Sequence, residues 1–245
     1  MMKFRYTVSL CIGILIILLI GNRFLTNQST VSNGNQVNPI KVQKVEWNLS
    51  TKSNTQKVDI HSKSISVPQR DEIKVFITSE SLKSYKVIEP IYNGKNRFTF
   101  NYHFKKKTPY FVSVFLNNQT IDTKIFQKNK EQKQSLFPTS ILTKKFDDFQ
   151  VSLLFDSLLT KNKNTLNFEF TNFKGHHPKM SNHQIYIVSE DGSFFKILNS
   201  SSNKTKLKYE LTLQQEEMYK IFYEFNLNNK KESFSYIIDV KDKVN

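Results

Sequence analysis

The chain reads as an all-β protein: two tandem immunoglobulin-like β-sandwich domains behind an N-terminal transmembrane or signal helix. Three observations carry that reading. Apolar and polar residues alternate through most of the 245 residues, the alternating segments fall into two similar series, and one unbroken apolar run stands near the start. Alternation is the mark of a strand with one buried face.

The N-terminal segment comes first. Met1 to Tyr6 hold Lys3 and Arg5, and the apolar run from Val8 to Ile20 is broken only by Ser9. A cationic start before an apolar core is the pattern of a secretory signal or a signal anchor. A spanning helix needs about 20 residues, a length reached by extending the run from Phe4 to Leu25, with Asn22 and Arg23 at the interface. No A-x-A-like cleavage site follows. Cys11 precedes the main apolar stretch, whereas a lipoprotein cysteine would come after it. The preferred reading is an uncleaved, single-pass anchor over residues 1–26; a cleaved signal with a secreted product is the alternative. With Lys3 and Arg5 inside, the C-terminal domains lie outside the cytoplasm. Residues 27–38, NQSTVSNGNQVN from Asn27, are polar without apolar periodicity and read as a flexible tether.

Beyond the tether, Val45, Trp47 and Leu49 alternate, as do Phe98, Phe100, Tyr102 and Phe104, then Tyr110, Val112, Val114 and Leu116. The pattern returns at Phe149, Val151, Leu153 and Phe155, and at Leu166, Phe168 and Phe170. It continues at Leu207, Tyr209, Leu211 and Leu213, at Tyr219, Ile221, Tyr223 and Phe225, and closes at Phe234, Tyr236, Ile238 and Val240. The two series align. IKVFITSESLKSYKVIEP from Ile73 resembles HQIYIVSEDGSFFKILNS from His183, and PYFVSVFLNN from Pro109 resembles MYKIFYEFNLNN from Met218, at an offset that stays near 110 residues. A constant offset with matching alternation points to an internal duplication. Each copy supplies about seven strands, a number that suits an immunoglobulin-type sandwich. The first sandwich is expected over 39–127, a linker over 128–142 and the second sandwich over 143–244. Proteolysis is expected first within Lys128 to Ser135, releasing two folded fragments.

Composition agrees. Phe (21) and Tyr (10) are abundant and Gly (6) is scarce, a bias towards strands. Cys11 is the single cysteine, so the domains hold no disulfide and no thiolate metal site. Lys+Arg number 36 against 21 Asp+Glu, a net charge of +15 spread over the whole chain. Such a diffuse excess supports weak attraction to anionic wall polymers or lipid headgroups, alongside a partner protein. It serves equally as a solvated surface that keeps the domains soluble, and lysines on edge strands discourage sheet-to-sheet pairing. Nucleic-acid binding would call for a compact basic patch with a reading motif, and neither is present.

The second copy resembles the YtkA-like domains of bacterial extracytoplasmic proteins, related to FixH-like domains. The stretch His183 to Phe195, HQIYIVSEDGSFF, matches their strand and Ser-Glu-Asp turn, and Tyr219 to Phe225, YKIFYEF, matches their closing strand. The resemblance covers about 90 residues, from which an extracytoplasmic sandwich with a role in copper handling is implied. The family's His-x-His-Pro turn is replaced here by Lys196-Ile197-Leu198-Asn199, and the first copy has no histidine there either. Of the family's histidines only His183 stands in place, with His176, His177 and Met180 close upstream in FKGHHPKM. Imidazoles and a thioether suit copper ions, so these four are the candidate metal ligands. His176 and His177 would point to opposite faces of a strand and could share a metal only in a loop, which Gly175 and Pro178 favour.

No G-x-S-x-G turn, glycine-rich phosphate loop or H-E-x-x-H helix occurs. Asp147-Asp148 and Glu216-Glu217 read as solvated neighbours rather than an acid/base couple. Lys105-Lys106-Lys107 and Glu216-Glu217, at equivalent places before Tyr110 and Tyr219, read as hairpin tips. No catalytic residue and no cofactor is assigned, copper belonging to the alternative reading alone. The expected function is a non-enzymatic, membrane-anchored binding or adaptor protein of the bacterial cell envelope, with metal handling as the alternative.

Overall fold

The computed structural model describes residues 45–52, 55–61, 73–126, 135–146, 148–173 and 179–242, and every element in them is a strand. None of the described residues forms a helix long and apolar enough to cross a membrane, and the expected anchor and tether lie outside them.

In the first domain β1 (Glu46–Lys52), β2 (Thr55–His61), β6 (Arg97–Tyr102) and β5 (Ile91–Tyr92) form one sheet in that order. The facing sheet is β4 (Tyr85–Ile88), β3 (Ile73–Ser79), β7 (Tyr110–Leu116) and β8 (Gln119–Phe126). Their inward residues, Val58, Ile60, Val75, Ile77, Phe98 and Phe100 among them, meet in one core. The second domain repeats the plan. One sheet runs β14 (Lys206–Thr212), β11 (Lys163–Asn172), β10 (Phe149–Leu154), β9 (Thr143–Phe146). The other runs β13 (Phe195–Ser200), β12 (Met180–Ser189), β15 (Met218–Leu227), β16 (Lys230–Asp239). Both domains are thus antiparallel two-sheet sandwiches of immunoglobulin type. The pair β2–β6 corresponds to β11–β14, and β4-β3-β7-β8 to β13-β12-β15-β16; β5 and β9 are the unmatched edge strands.

Local details repeat with the same offset. Glu80 N bonds Pro109 O as Glu190 N bonds Met218 O, and Leu82 N bonds Ser79 O as Gly192 N bonds Ser189 O. The β7–β8 and β15–β16 hairpins each turn on two asparagines with positive φ, Asn117-Asn118 (50° and 65°) and Asn228-Asn229 (50° and 67°). Two successive left-handed residues match the twist of a hairpin, and asparagine tolerates that conformation. The segments at Lys105–Lys107 and Glu216-Glu217 are not hairpin tips. β6 and β7 lie in opposite sheets, as do β14 and β15, so each segment turns a corner of the sandwich. At each corner a tyrosine hydroxyl ties back to the backbone upstream. Lys105 N donates to Tyr110 Oη (3.3 Å), Gln215 N donates to Tyr219 Oη (3.3 Å), and Tyr219 Oη donates to Gln215 O (3.0 Å). A tyrosine corner at this place is a hallmark of the immunoglobulin fold.

The sequence pattern implied strands with one buried face, but the central strands are buried on both. All of β7 is buried: Tyr110, Val112, Val114 and Leu116 enter the first core, while Phe111 and Phe115 point the other way. Those two join Phe76 and Leu82 against Tyr186, Val188, Phe195, Ile197 and Phe222 of the second domain. The domains therefore stack sheet on sheet, four β layers deep, with a third apolar core between them. Its contacts are reciprocal. Phe76 and Tyr186 hold equivalent positions and pack on each other at 5.3 Å. Phe76 meets Phe195 at 4.7 Å just as Tyr186 meets Tyr85 at 5.3 Å. Phe195 meets Phe115 (5.9 Å) where Tyr85 meets Glu224. An interface whose contacts map onto themselves when the halves exchange is isologous, as in a two-fold dimer. Gly192 is required there, because its φ is +73° and a Cβ would lie 2.4 Å from the Phe111 ring.

Of the expected linker, residues 128–134 lie outside the described ones, and from Ser135 the chain adds to the second domain. Leu136 N donates to Glu190 Oε1 (2.7 Å), Thr139 N to Ile237 O (2.9 Å) and Leu153 N to Leu142 O (2.8 Å). Cleavage between the domains would therefore leave two pieces still joined through the shared aromatic core.

Candidate functional site

His176 and His177 lie outside the described residues. Met180 and His183, on β12, are both in the second domain's core, 1% and 0% exposed. The His183 ring stacks on Phe225 (9° between planes) and meets Phe170 edge-on. Its nitrogens are both engaged. Nε2 lies 2.9 Å from the carbonyl of Ser202, which can only accept, so Nε2 carries the proton. Nδ1 then accepts from the Tyr223 hydroxyl at 3.0 Å. Burial disfavours the charged ring and pulls its pKa down to about 4, with the Ser202 hydrogen bond opposing the shift. Tyr209 Oη, also buried, neighbours Tyr223 and Ser200 without a well-aligned hydrogen bond among the described residues. This is a satisfied core histidine with a tyrosine beside it. It offers no lone pair to a metal, and no group of three or more His, Cys, Asp or Glu suited to a metal occurs among the described residues.

The Ser-Glu-Asp turn behind the family resemblance is also accounted for locally. Ser189 Oγ donates to Asp191 Oδ1 (2.7 Å) and accepts from Phe194 N (2.9 Å), which closes the β12–β13 hairpin. Glu190 holds Leu136 N.

A different site emerges at the seam between the domains. The shared core covers only one part of the face of the β13-β12-β15-β16 sheet, and the uncovered part is polar. There a groove of about 700 Å³ is floored by Gln184, Glu224 and Ser233 and walled by Tyr85, Lys86 and Glu89 of the first domain. Gln184 pairs with Glu224 and Glu224 with Ser233 across neighbouring strands, so the floor is a sheet face. Glu224, 9% exposed, accepts from the Tyr85 hydroxyl across the seam and pairs with Lys231 Nζ at 2.9 Å. Burial and the neighbouring carboxylate hold the Tyr85 hydroxyl well above its ordinary range, so it stays a donor. Tyr186 Oη donates to Gln184 Oε1 at 2.9 Å. Gln184 also lines a second hollow of about 450 Å³, between the bulge at Ser181–Gln184 and the end of β13, with Asn182, Asn199, Ser200 and Ser201. The two hollows, which share that residue, are together termed the trough. Sequence reading missed it because its walls come from both copies. The one available signal was Glu224, the only carboxylate in the aromatic-rich run YKIFYEF.

No family model matches the chain, and no curated protein matches it. Among solved structures, the chain is similar to a two-domain fibronectin type III segment of chicken tenascin (13% identity, 79% of this chain and 97% of that one, TM-score 0.27). It is also similar to the chicken interferon gamma receptor alpha chain (8% identity, 82% and 99% covered, TM-score 0.28).

Proposed function

We propose that the chain is a non-enzymatic binding or adaptor protein of the bacterial cell envelope, tethered by its N-terminal segment, with both sandwiches outside the cytoplasm. The observation that carries this reading is the seam: two duplicated domains clamped by a shared aromatic core, leaving an open polar trough where they meet. A site assembled from two domains works only if their relative position is fixed, and the interface supplies that. The trough holds hydrogen-bonding groups, cations and the carboxylates Glu89 and Glu224 but no paired nucleophile and base among its described residues, an arrangement for holding rather than converting a ligand. The N-terminal charge and hydropathy pattern supports the tether, and the disulfide-free, strongly basic domains suit contact with anionic envelope components.

The test is topological and then functional. Expressed in a bacterial host, the full chain should sediment with membranes and resist carbonate extraction. External protease should remove the sandwich domains from spheroplasts, and the solubilised protein should co-sediment with isolated cell walls. Recovery in the cytosol, or protection from external protease, would overturn the tethered reading; failure to sediment with walls would overturn the binding role there.

A further inference from the structure

The trough at the seam has a chemistry that selects among ligands, and we infer that it binds an anionic, hydroxyl-rich polymer, a glycan or polyol chain bearing phosphate or carboxylate groups. The inference deepens the binding role proposed above and rests on it. Four features lead to it. The uncharged part of the lining is amide, hydroxyl and phenol, Gln184, Asn182, Asn199, Ser200 and Ser233 among them, with Val87 and His183 as the exceptions. Side-chain amides donate and accept at once, as sugar and polyol hydroxyls do. Next, the floor is a sheet face: Gln184 and Glu224 lie on β12 and β15, which are paired on both sides, so a ligand resting there meets side chains rather than backbone.

Charge adds the third feature. Glu224 is already matched by Tyr85 and Lys231, whereas Lys74 and Lys86 line the same groove without an ion pair to any described residue. Glu89 also lines the groove, so Lys74, Lys86 and Lys231 stand against Glu89 and Glu224, an excess of one cation that favours an anion. The last feature is shape: two open hollows, both lined by Gln184, suit an extended ligand better than an enclosed small molecule.

The experiment must separate this site from the general pull of a +15 protein. Binding of the full chain in detergent to oligogalacturonate (carboxylate) and to poly(glycerol phosphate) (phosphate) would be measured by calorimetry at 50 and 300 mM salt. Four proteins are compared: the parent, K74Q/K86Q in the trough, K106Q/K145Q on distant exposed strands and corners, and the charge-neutral Q184A/N199A. The expectation is that K74Q/K86Q and Q184A/N199A each weaken binding of at least one polymer by about tenfold or more, and K106Q/K145Q by less than about twofold. Which polymer responds identifies the anionic group. Equal losses for both lysine pairs, or full binding by Q184A/N199A, would mean diffuse adsorption and overturn the inference. Absence of binding to either polymer would overturn it too. If the parent still sediments with cell walls in those cases, the broader binding role stands and only the trough loses its assignment.

Discussion

Where the second domain buries His183, Tyr223 and Tyr209, the first buries Ile73, Val114 and Phe100 at the equivalent positions, all six at most 2% exposed. Both cores sit between the same two sheets, and the same strands supply them. The difference is chemical. At these positions the first domain has apolar side chains only, while the second has placed a hydrogen-bonded imidazole and two phenols in an equally dry place. Apolar packing responds to volume and hardly to pH; a buried imidazole responds to both. The duplicated fold therefore contains its own control, since each substitution in one domain has a matched one in the other.

The largest effects should come from volume. Phe100→Ala and Tyr209→Ala both empty a ring from a core and should each cost about 3–5 kcal/mol in chemical unfolding. Tyr209→Phe keeps the ring and removes only a hydroxyl without a well-aligned partner, so it should cost less than about 1 kcal/mol. A large loss for Tyr209→Phe would show that this hydroxyl is a full member of the His183–Tyr223 network.

Next in size is pH. The unfolded chain protonates His183 near 6.5, whereas the folded ring takes up a proton only near 4. The neutral ring is the one the fold accepts. Its contribution is complete above about pH 6.5, declines as pH falls through the window, and is lost near 4, at most about 3 kcal/mol in all. Hydrogen exchange should show β12 and β15 losing protection across that window while β2 and β6 change less. His183→Gln, which can still donate to Ser202 and accept from Tyr223, should flatten the response. Equal acid sensitivity in both domains, unchanged by His183→Gln, would remove the imidazole as its source.

The smallest difference lies at the corners. Tyr219 makes two backbone hydrogen bonds and Tyr110 one. Tyr219→Phe should therefore cost more than Tyr110→Phe, with both in the range of about 0.5–3 kcal/mol. The reverse order in unfolding experiments would show that the corner bonds do not set the cost.

Much of the fold was legible because strand periodicity and duplication are properties of local sequence. The alternation at Leu166, Phe168 and Phe170 or at Tyr219, Ile221, Tyr223 and Phe225 maps directly onto the second core. The interface between domains was less legible. Its residues, Phe76, Phe111, Tyr186 and Phe222, fill the positions between core residues, where alternation expects solvent-facing groups. A run such as YFVSVFL, apolar on both faces, signals burial on two sides, yet it does not name the second partner. The Lys105 and Glu216 segments looked like hairpin tips because strand spacing does not say which sheet the next strand joins. Of the candidate ligands, His176 and His177 lie outside the described residues, and Met180 and His183 both turn into the core because the bulge between Ser181 and Gln184 shifts the alternation of β12. The trough left only Glu224 as a trace in the sequence, because two residues distant along the chain, Tyr85 and Glu224, meet at it.

Everything proposed here depends on the two sandwiches forming one body through their reciprocal aromatic face. A specific protease site inserted between Lys130 and Glu131 allows the connection to be cut after folding. The nicked protein should elute from size exclusion as a single species with the intact mass by native mass spectrometry, and Phe222→Asp should make the two pieces separate. Two pieces that part at micromolar concentration without that substitution would contradict the shared core and the seam built on it.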